Sequence, residues 1–199
     1  MDKLKLIICD VCSSENLEES YTVPDSLRKN KIFICKNCGL IHSKNDPEYD
    51  QTKNHHSLMF NDKQRIRKPD SGPTWGNIRH GKELRFNSHK KYLDDFDFTK
   101  KTNILDDGSN RGSFLKWVLN QTNINNKITA IEPDKSIVDY NNDLPENVSF
   151  HFDYLENVNI NNIKFDFIYS SHTFEHVNSI YKHLNCLNEI SKNGTIMFV

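Results

Sequence analysis

The chain has 199 residues and a formal net charge of -1, from 26 basic and 27 acidic side chains. That length supports one good core plus a small accessory module. The balanced charge argues against retention on nucleic acid by general basicity, and no apolar run approaches the ~18 residues that a membrane span needs.

The first stretch, MDKLKLIICDVCSS, has too short an apolar segment for a secretory leader, so a soluble cytoplasmic protein is expected. Four of the five cysteines form two C-x-x-C pairs, Cys9 with Cys12 and Cys35 with Cys38. A tight turn brings two thiolates to one side of a metal, and two such turns complete a tetrahedron. The spacing therefore predicts a structural Zn2+ held by Cys9, Cys12, Cys35 and Cys38, in a zinc ribbon over residues 1–45. Four protein ligands leave no open position for catalysis. Disulfides are disfavoured in a reducing compartment. Gly39 suits a left-handed turn after the second pair. His42 lies close by as a substitute ligand, and Cys186 reads as a buried apolar residue of a helix.

Residues 46–100 are polar and irregular and read as a linker with a helical lid. NDPEYDQTKNHHS and KPDSGPTWGN are loop-like, and a helix is predicted from Gly81 to Tyr92. His55 and His56 read as solvated. Arg65, Arg67, Lys68, Arg79 and His80 make a basic stretch beside Trp75. A solvated loop is the plain reading of it, and contact with a phosphate-bearing acceptor is the functional one.

Residues 101–199 alternate apolar strands with amphipathic helices, the pattern of a parallel sheet with crossovers. Strands are predicted at Asn103–Asp106, Lys127–Glu132, Val148–Phe152, Phe165–Ser170 and Thr195–Val199. Helices are predicted at Gly112–Gln121, Pro133–Asn142 and Ser179–Lys192. In the last, Ile180, Leu184, Leu187 and Ile190 recur at helical spacing, which predicts a face packed on the sheet. The fold class is α/β: a Rossmann-like parallel sheet with a small N-terminal zinc ribbon.

The segment ILDDGSNRGSFLKW places a strand, an acidic glycine turn and a helix in that order. In open parallel sheets, ligands bind beyond the carboxyl ends of the strands, at the first such turn. Gly108 and Gly112 permit close backbone approach, and Asp106 can accept hydrogen bonds or attract a cation. A carboxylate here would repel a pyrophosphate. Glu132 ends the next strand, where an acidic side chain typically meets ribose hydroxyls. A ligand with a ribose, an amino-acid end and no phosphates is implied. S-adenosylmethionine has that chemistry. Asp153, just after the third strand, is placed to contact the adenine amino group.

ILDDGSNRGSFL, IEPD and FDFIYSSHTFEHV together resemble three motifs of the class I S-adenosylmethionine-dependent methyltransferases. CDVCSS and ICKNCGLIH, followed by a Tyr49-containing linker, resemble the N-terminal zinc-binding domain of sugar C-methyltransferases and their relatives. The resemblance implies methyl transfer to a sugar, nucleotide-sugar or polysaccharide acceptor. It also implies that Tyr49 and His172 line the cofactor and acceptor pocket, with His176 or Glu175 as general base. An equal alternative is that Glu175 and His176 cap the following helix or order the loop. Asp107 and Asn110 depart from the family, in which an apolar and a small residue are usual. The chain also ends at Val199, before the helix and antiparallel pair that usually complete such sheets. Either the sequence is a fragment, or a partner or second copy covers the sheet edge. A non-catalytic zinc-ribbon binding module is the rival reading. H-x-x-E-H, from His172 to His176, also matches inverted zinc peptidases, but it follows a strand rather than sitting within a helix.

Overall fold

The computed structural model describes residues 7–22, 31–43, 84–110, 112–121, 126–135, 144–160 and 162–199. Strands β1 (Leu17–Thr22), β2 (Lys31–Cys35) and β3 (Ile41–Ser43) form a small antiparallel sheet in the order β1-β2-β3. Helix α1 (Leu84–Leu93) then leads into a five-stranded sheet. Its strands are β4 (Asn103–Asp107), β5 (Lys127–Ile131), β6 (Val148–His151), β7 (Phe165–Tyr169) and β8 (Ser191–Phe198).

All four pairings in this sheet are parallel, and the order is β6-β5-β4-β7-β8. The chain winds outward from β4 to β6, then returns to place β7 on the other side of β4. β4 and β7 thus flank the switch point where open parallel sheets take their ligands. The central strands are buried along nearly their whole length because they are covered on both faces, although β4 ends in two aspartates.

Alternation along β4 divides the core. Ile104 joins Phe86 and Leu93 of α1 and Phe114, Leu115 and Val118 of helix α2 (Ser113–Leu119). Leu105 joins Leu155, Ile160 and, from helix α3 (Ile180–Ile190), Leu187 and Ile190. The result is a three-layer sandwich. On the α1/α2 side, Phe114 stacks on Tyr169 at 4.3 Å and 11°. Among the described residues, no helix is long and apolar enough to cross a membrane.

Most element boundaries differ from the sequence reading by a residue or more, and three are instructive. The last helix starts one residue later, because Ser179 is its cap and accepts from the Lys182 N–H. The last strand begins at Ser191, directly after α3, and runs through a register shift around Gly194 (φ +87°). Asn193-Gly194 punctuates the sequence like a turn, which hid the first half of that strand. The third strand stops at His151. The packed face of α3 also differs: Leu184 is 43% exposed, and His183 is buried beside Leu187 and Ile190 instead. Most of the predicted Pro133–Asn142 helix and of the 46–100 linker, Tyr49 and the basic stretch included, lies outside the described residues.

Candidate functional site

Two knuckles bring the four cysteines together. In the first, the Ser13 N–H donates to Cys9 O and the Cys9 N–H to Ser14 O. In the second, the Gly39 N–H donates to Cys35 O and the Cys35 N–H to Leu40 O. Each turn needs one left-handed residue, Ser13 (φ +56°) in one and Gly39 (φ +79°) in the other. The thiols are free, and all four sulfurs lie within 4.8 Å of one another. The Cys9–Cys38 and Cys12–Cys35 Sγ separations are both 3.5 Å. A tetrahedral zinc with ~2.3 Å bonds sets its sulfurs ~3.8 Å apart, so the cage has the right size for such an ion. Burial pushes the Cys35 thiol up, but N–H donors from Cys38 and Asn37 outweigh it and hold it at about 6. His42 lies outside this cluster.

The acidic glycine turn closes the carboxyl end of β4. Gly108 and Ser109 both donate N–H bonds to Ile131 O at the end of β5, at 2.9 Å. Positive φ at Gly108, Asn110 and Gly112 coils the backbone, and Gly112 caps α2. Asp106 is 1% exposed and faces the α1/α2 layer with Ile104. Among the described residues its Oδ2 has no hydrogen-bond partner, and neither does the buried Ser109 Oγ. Burial, with Asp107 and Glu132 nearby, pushes the Asp106 carboxyl well above its usual range, while the Leu115 N–H opposes this. Glu132 accepts from the Asn110 N–H (2.9 Å) and the Asp134 N–H (2.8 Å). Burial raises it to about 7 despite those two bonds.

The space beside Gly108 is taken by the protein itself. A Cβ there would lie 2.3 Å from Thr173 Oγ1, which donates to Asp107 O. Gly108 thus admits Thr173 of the loop after β7 against its backbone. Asp153 is exposed, and its Oδ1 accepts from the Asn157 side chain and the Tyr154 N–H, which hold its carboxyl below the usual range.

Asp107, one residue on from Asp106, points into the opposite layer. Its Oδ2 accepts from Ser170 Oγ (2.7 Å) and pairs with His183 Nε2 (2.9 Å). His183 Nδ1 meets Glu156 Oε1 at 3.1 Å, so the ring bridges two carboxylates. Burial pushes His183 down, but hydrogen bonds to Asp107 and Glu156 outweigh it and raise it to about 9. Phe174 packs edge-on against the ring at 5.1 Å. Sequence reasoning missed this network. Its signals were an Asp at the end of an apolar strand and a His inside the apolar stripe of α3.

The loop after β7 carries the remaining predicted residues. His172 is left-handed (φ +57°) and half exposed, with its Nδ1 3.2 Å from Glu175 Oε1. Glu175 and His176 lie in one short 3-10 turn, Phe174–His176, whose His176 N–H donates to Thr173 O. Among the described residues only the four cysteines form a metal-ligating group, so nothing supports a peptidase zinc at His172 and His176. His89 of α1 reaches the same rim: its Nδ1 is 2.9 Å from Tyr169 Oη, and its ring stacks 6.3 Å from that of His172. A groove of about 320 Å³ lies elsewhere, lined by Leu93, Phe96, Phe98, Trp117 and neighbours, and includes none of these carboxylates.

Comparison with known proteins places this geometry. Residues 62–199, more than half of the chain, match a family model described as a methyltransferase domain. The plantazolicin methyltransferase BpumL, solved with a monoazolic desmethylPZN analog and SAH, aligns with a TM-score of 0.50 at 18% identity. That alignment covers 72% of this chain and 55% of BpumL. A SAM dependent methyltransferase from Aquifex aeolicus aligns with a TM-score of 0.48 at 21% identity, over 58% of this chain and 64% of that one. The chain therefore spans less than two thirds of the length of either structure. No curated protein matches it. The likeness to BpumL is one of fold, and the family match rests on the sequence itself: this chain belongs to the methyltransferase-domain family.

Proposed function

We propose that this chain binds S-adenosylmethionine over the carboxyl ends of β4 and β5 and transfers its methyl group to a small-molecule acceptor. The observation that carries the reading is Asp106, a buried carboxylate at the switch point whose Oδ2 lacks a partner among the described residues. Such a group is costly unless a ligand supplies a donor or positive charge. Ser109 Oγ is a second buried polar atom in the same state. Glu132 spends one N–H bond on each oxygen, and a carboxylate has about four acceptor positions, so capacity for two hydroxyls remains. The donor and acceptor set thus fits the cofactor. Gly108 does not contribute an open cradle, because Thr173 fills it.

When bound, S-adenosylmethionine supplies a sulfonium methyl that is already activated for displacement. The chain's own residues then have three tasks. Asp106 and Glu132 hold and orient, which is the main requirement of an in-line displacement. Gly112, Asp153 and His172 are the further proposed contacts. Glu175 and His176 stand on the rim as proton acceptors, needed only where the acceptor must lose a proton. The four-cysteine module is proposed to hold a structural zinc. Its likeness to the zinc-binding domains of sugar C-methyltransferases makes a sugar or nucleotide-sugar the first acceptor to try.

Calorimetric titration with S-adenosylmethionine and S-adenosylhomocysteine tests the cofactor. Saturable binding that Asp106→Ala abolishes is expected, and its absence from the parent chain overturns the reading in favour of a binding module. Metal analysis should give one zinc per chain, lost in Cys35→Ser. A chain that retains zinc in that variant excludes the cysteine site.

A further inference from the structure

Asp107 occupies the one position between the two residues that shape the turn. Asp106 precedes it and presents a carboxyl whose Oδ2 has no partner among the described residues, and Gly108 follows it in a left-handed conformation. Any rotation of the Asp107 backbone would move both neighbours. Beyond the pairing of Asp107 with Ile131 of β5, three contacts resist that rotation. Ser170 Oγ, just after β7, donates to its Oδ2, Thr173 Oγ1 from the loop beyond donates to its carbonyl, and His183 Nε2 from the first turn of α3 pairs with its Oδ2. Glu156 fixes the other ring nitrogen of His183, so the imidazole is held at both ends. The centre of the network is dry, with Asp107, Ser170 and His183 each at most 2% exposed, while the Glu156 side chain at its edge is 22% exposed.

We propose that His183 is a positioning residue, which, held from behind by Glu156 and clamping Asp107 against Ser170, sets the geometry of the turn from Asp106 to Gly108 and thereby the affinity for cofactor. The inference rests on the cofactor reading above. A purely structural ion pair would be replaceable by apolar side chains, since a buried pair exchanged for packed hydrocarbon is often neutral or stabilising. A clamp would not be replaceable, because an apolar pair fills the volume without fixing the direction of the Asp107 backbone.

The clamp needs a protonated ring to face both carboxylates. The charged groups that face it are Asp107 from β4 and Glu156 from the turn after β6; on α3 itself Lys182 acts on Glu156, and Cys186 lies within the field of both carboxylates. Ser170 completes the shell from β7.

The test compares the full parent chain with the double variant D107V/H183L, using S-adenosylhomocysteine as the probe in calorimetry from pH 7 to pH 10. Circular dichroism establishes that both are folded. A double variant that is folded and binds at least tenfold more weakly at pH 7 supports the clamp. So does a gap between the two that narrows toward pH 10, as His183 loses its proton in the parent. The ligand's own amine titrates in both proteins and cancels in the ratio. Equal affinity of the two folded proteins at pH 7 overturns the inference and leaves the cofactor reading intact, whereas a parent that binds nothing overturns the cofactor reading. If the double variant fails to fold, amide exchange at Gly108 and Ser109 in a His183→Gln chain decides. Faster exchange confined to that turn supports the clamp, and unchanged exchange removes it.

Discussion

The two faces of β4 carry the same side chain to opposite ends. Asp106 looks into the aromatic layer under α1 and α2, where its Oδ2 meets no donor among the described residues. Asp107 looks into the layer under α3 and meets two, Ser170 and His183. Both carboxylates are at most 2% exposed. The difference is therefore one of partners, not of burial. A carboxylate whose partners come from its own chain stabilises the fold. A carboxylate with one oxygen left without a donor weakens the empty protein and completes its bonding only with a ligand. One strand end thus divides two tasks between adjacent residues, because successive side chains point to opposite faces.

The largest effect should follow from breaking the satisfied side. Asp107→Ala leaves an imidazolium in the core with only Glu156 to face it. Loss of one partner of a buried pair typically costs about 3–5 kcal/mol. Urea denaturation should register a drop of that order, and a loss under about 1 kcal/mol would mean that the pair is not formed in solution. Asp106→Asn should do the reverse. It replaces a carboxyl whose ionised form burial disfavours, so the empty chain should be no less stable, yet cofactor affinity should fall about tenfold or more, the worth of one charge-assisted bond of about 1.5–3 kcal/mol. A variant that lost stability and kept affinity would exchange the roles of the two residues.

Acidity sharpens the contrast. His183 is raised from 6.5 to about 9, so its contribution to stability is fully present below pH 6.5 and is lost as pH rises through 9. Glu132 is raised from 4.5 to about 7, so its ionisation erodes the stability of the empty chain as pH climbs from 4.5 through 7. A ligand that donates hydroxyls to Glu132 favours the ionised form. Cofactor affinity should therefore weaken as pH falls below 7, with protons released on binding near neutrality. Calorimetry in buffers of different ionisation enthalpy checks this, and binding without proton release would remove Glu132 from the contact set.

Much of this organisation was legible in the sequence, and the limits have physical causes. The two C-x-x-C turns announced their cluster because each is local: the knuckle needs only its own few residues and one left-handed position. The parallel sheet was legible because doubly covered strands are written as apolar runs. Asp106, Gly108 and Glu132 stood out by their places at strand ends. The partner of Asp107 could not be read in the same way, since His183 lies 76 positions away and meets it only through the strand order. The helical stripe suggested Leu184 as the packed residue, because a hydropathy pattern assigns histidine to the polar face. A buried ion pair inverts that rule, and only tertiary context reveals it. Thr173 against Gly108 was hidden for a similar reason, as the glycine reads as room for a ligand until the facing loop is known.

The smallest effect concerns the N-terminal end of α3. Asp10, inside the first cysteine knuckle, accepts from Ser179 Oγ (2.7 Å) and from the Tyr181 N–H (3.0 Å). It therefore adds a second cap to a helix that Ser179 already caps through the Lys182 N–H. The carboxylate also sits at the positive end of the helix dipole. Replacing such a cap with alanine typically costs about 1 kcal/mol, which in a chain of this size lowers Tm by about 2–4 °C. Asp10→Ala should show that shift and little more. The first turn of α3 stays tied to β4 through His183, so affinity for S-adenosylhomocysteine should change by less than about twofold, roughly 0.4 kcal/mol at the two-fold limit. A larger loss of affinity would mean that the knuckle, and not the buried pair, sets where α3 lies. Circular dichroism melts and calorimetry on the same preparation separate the two results.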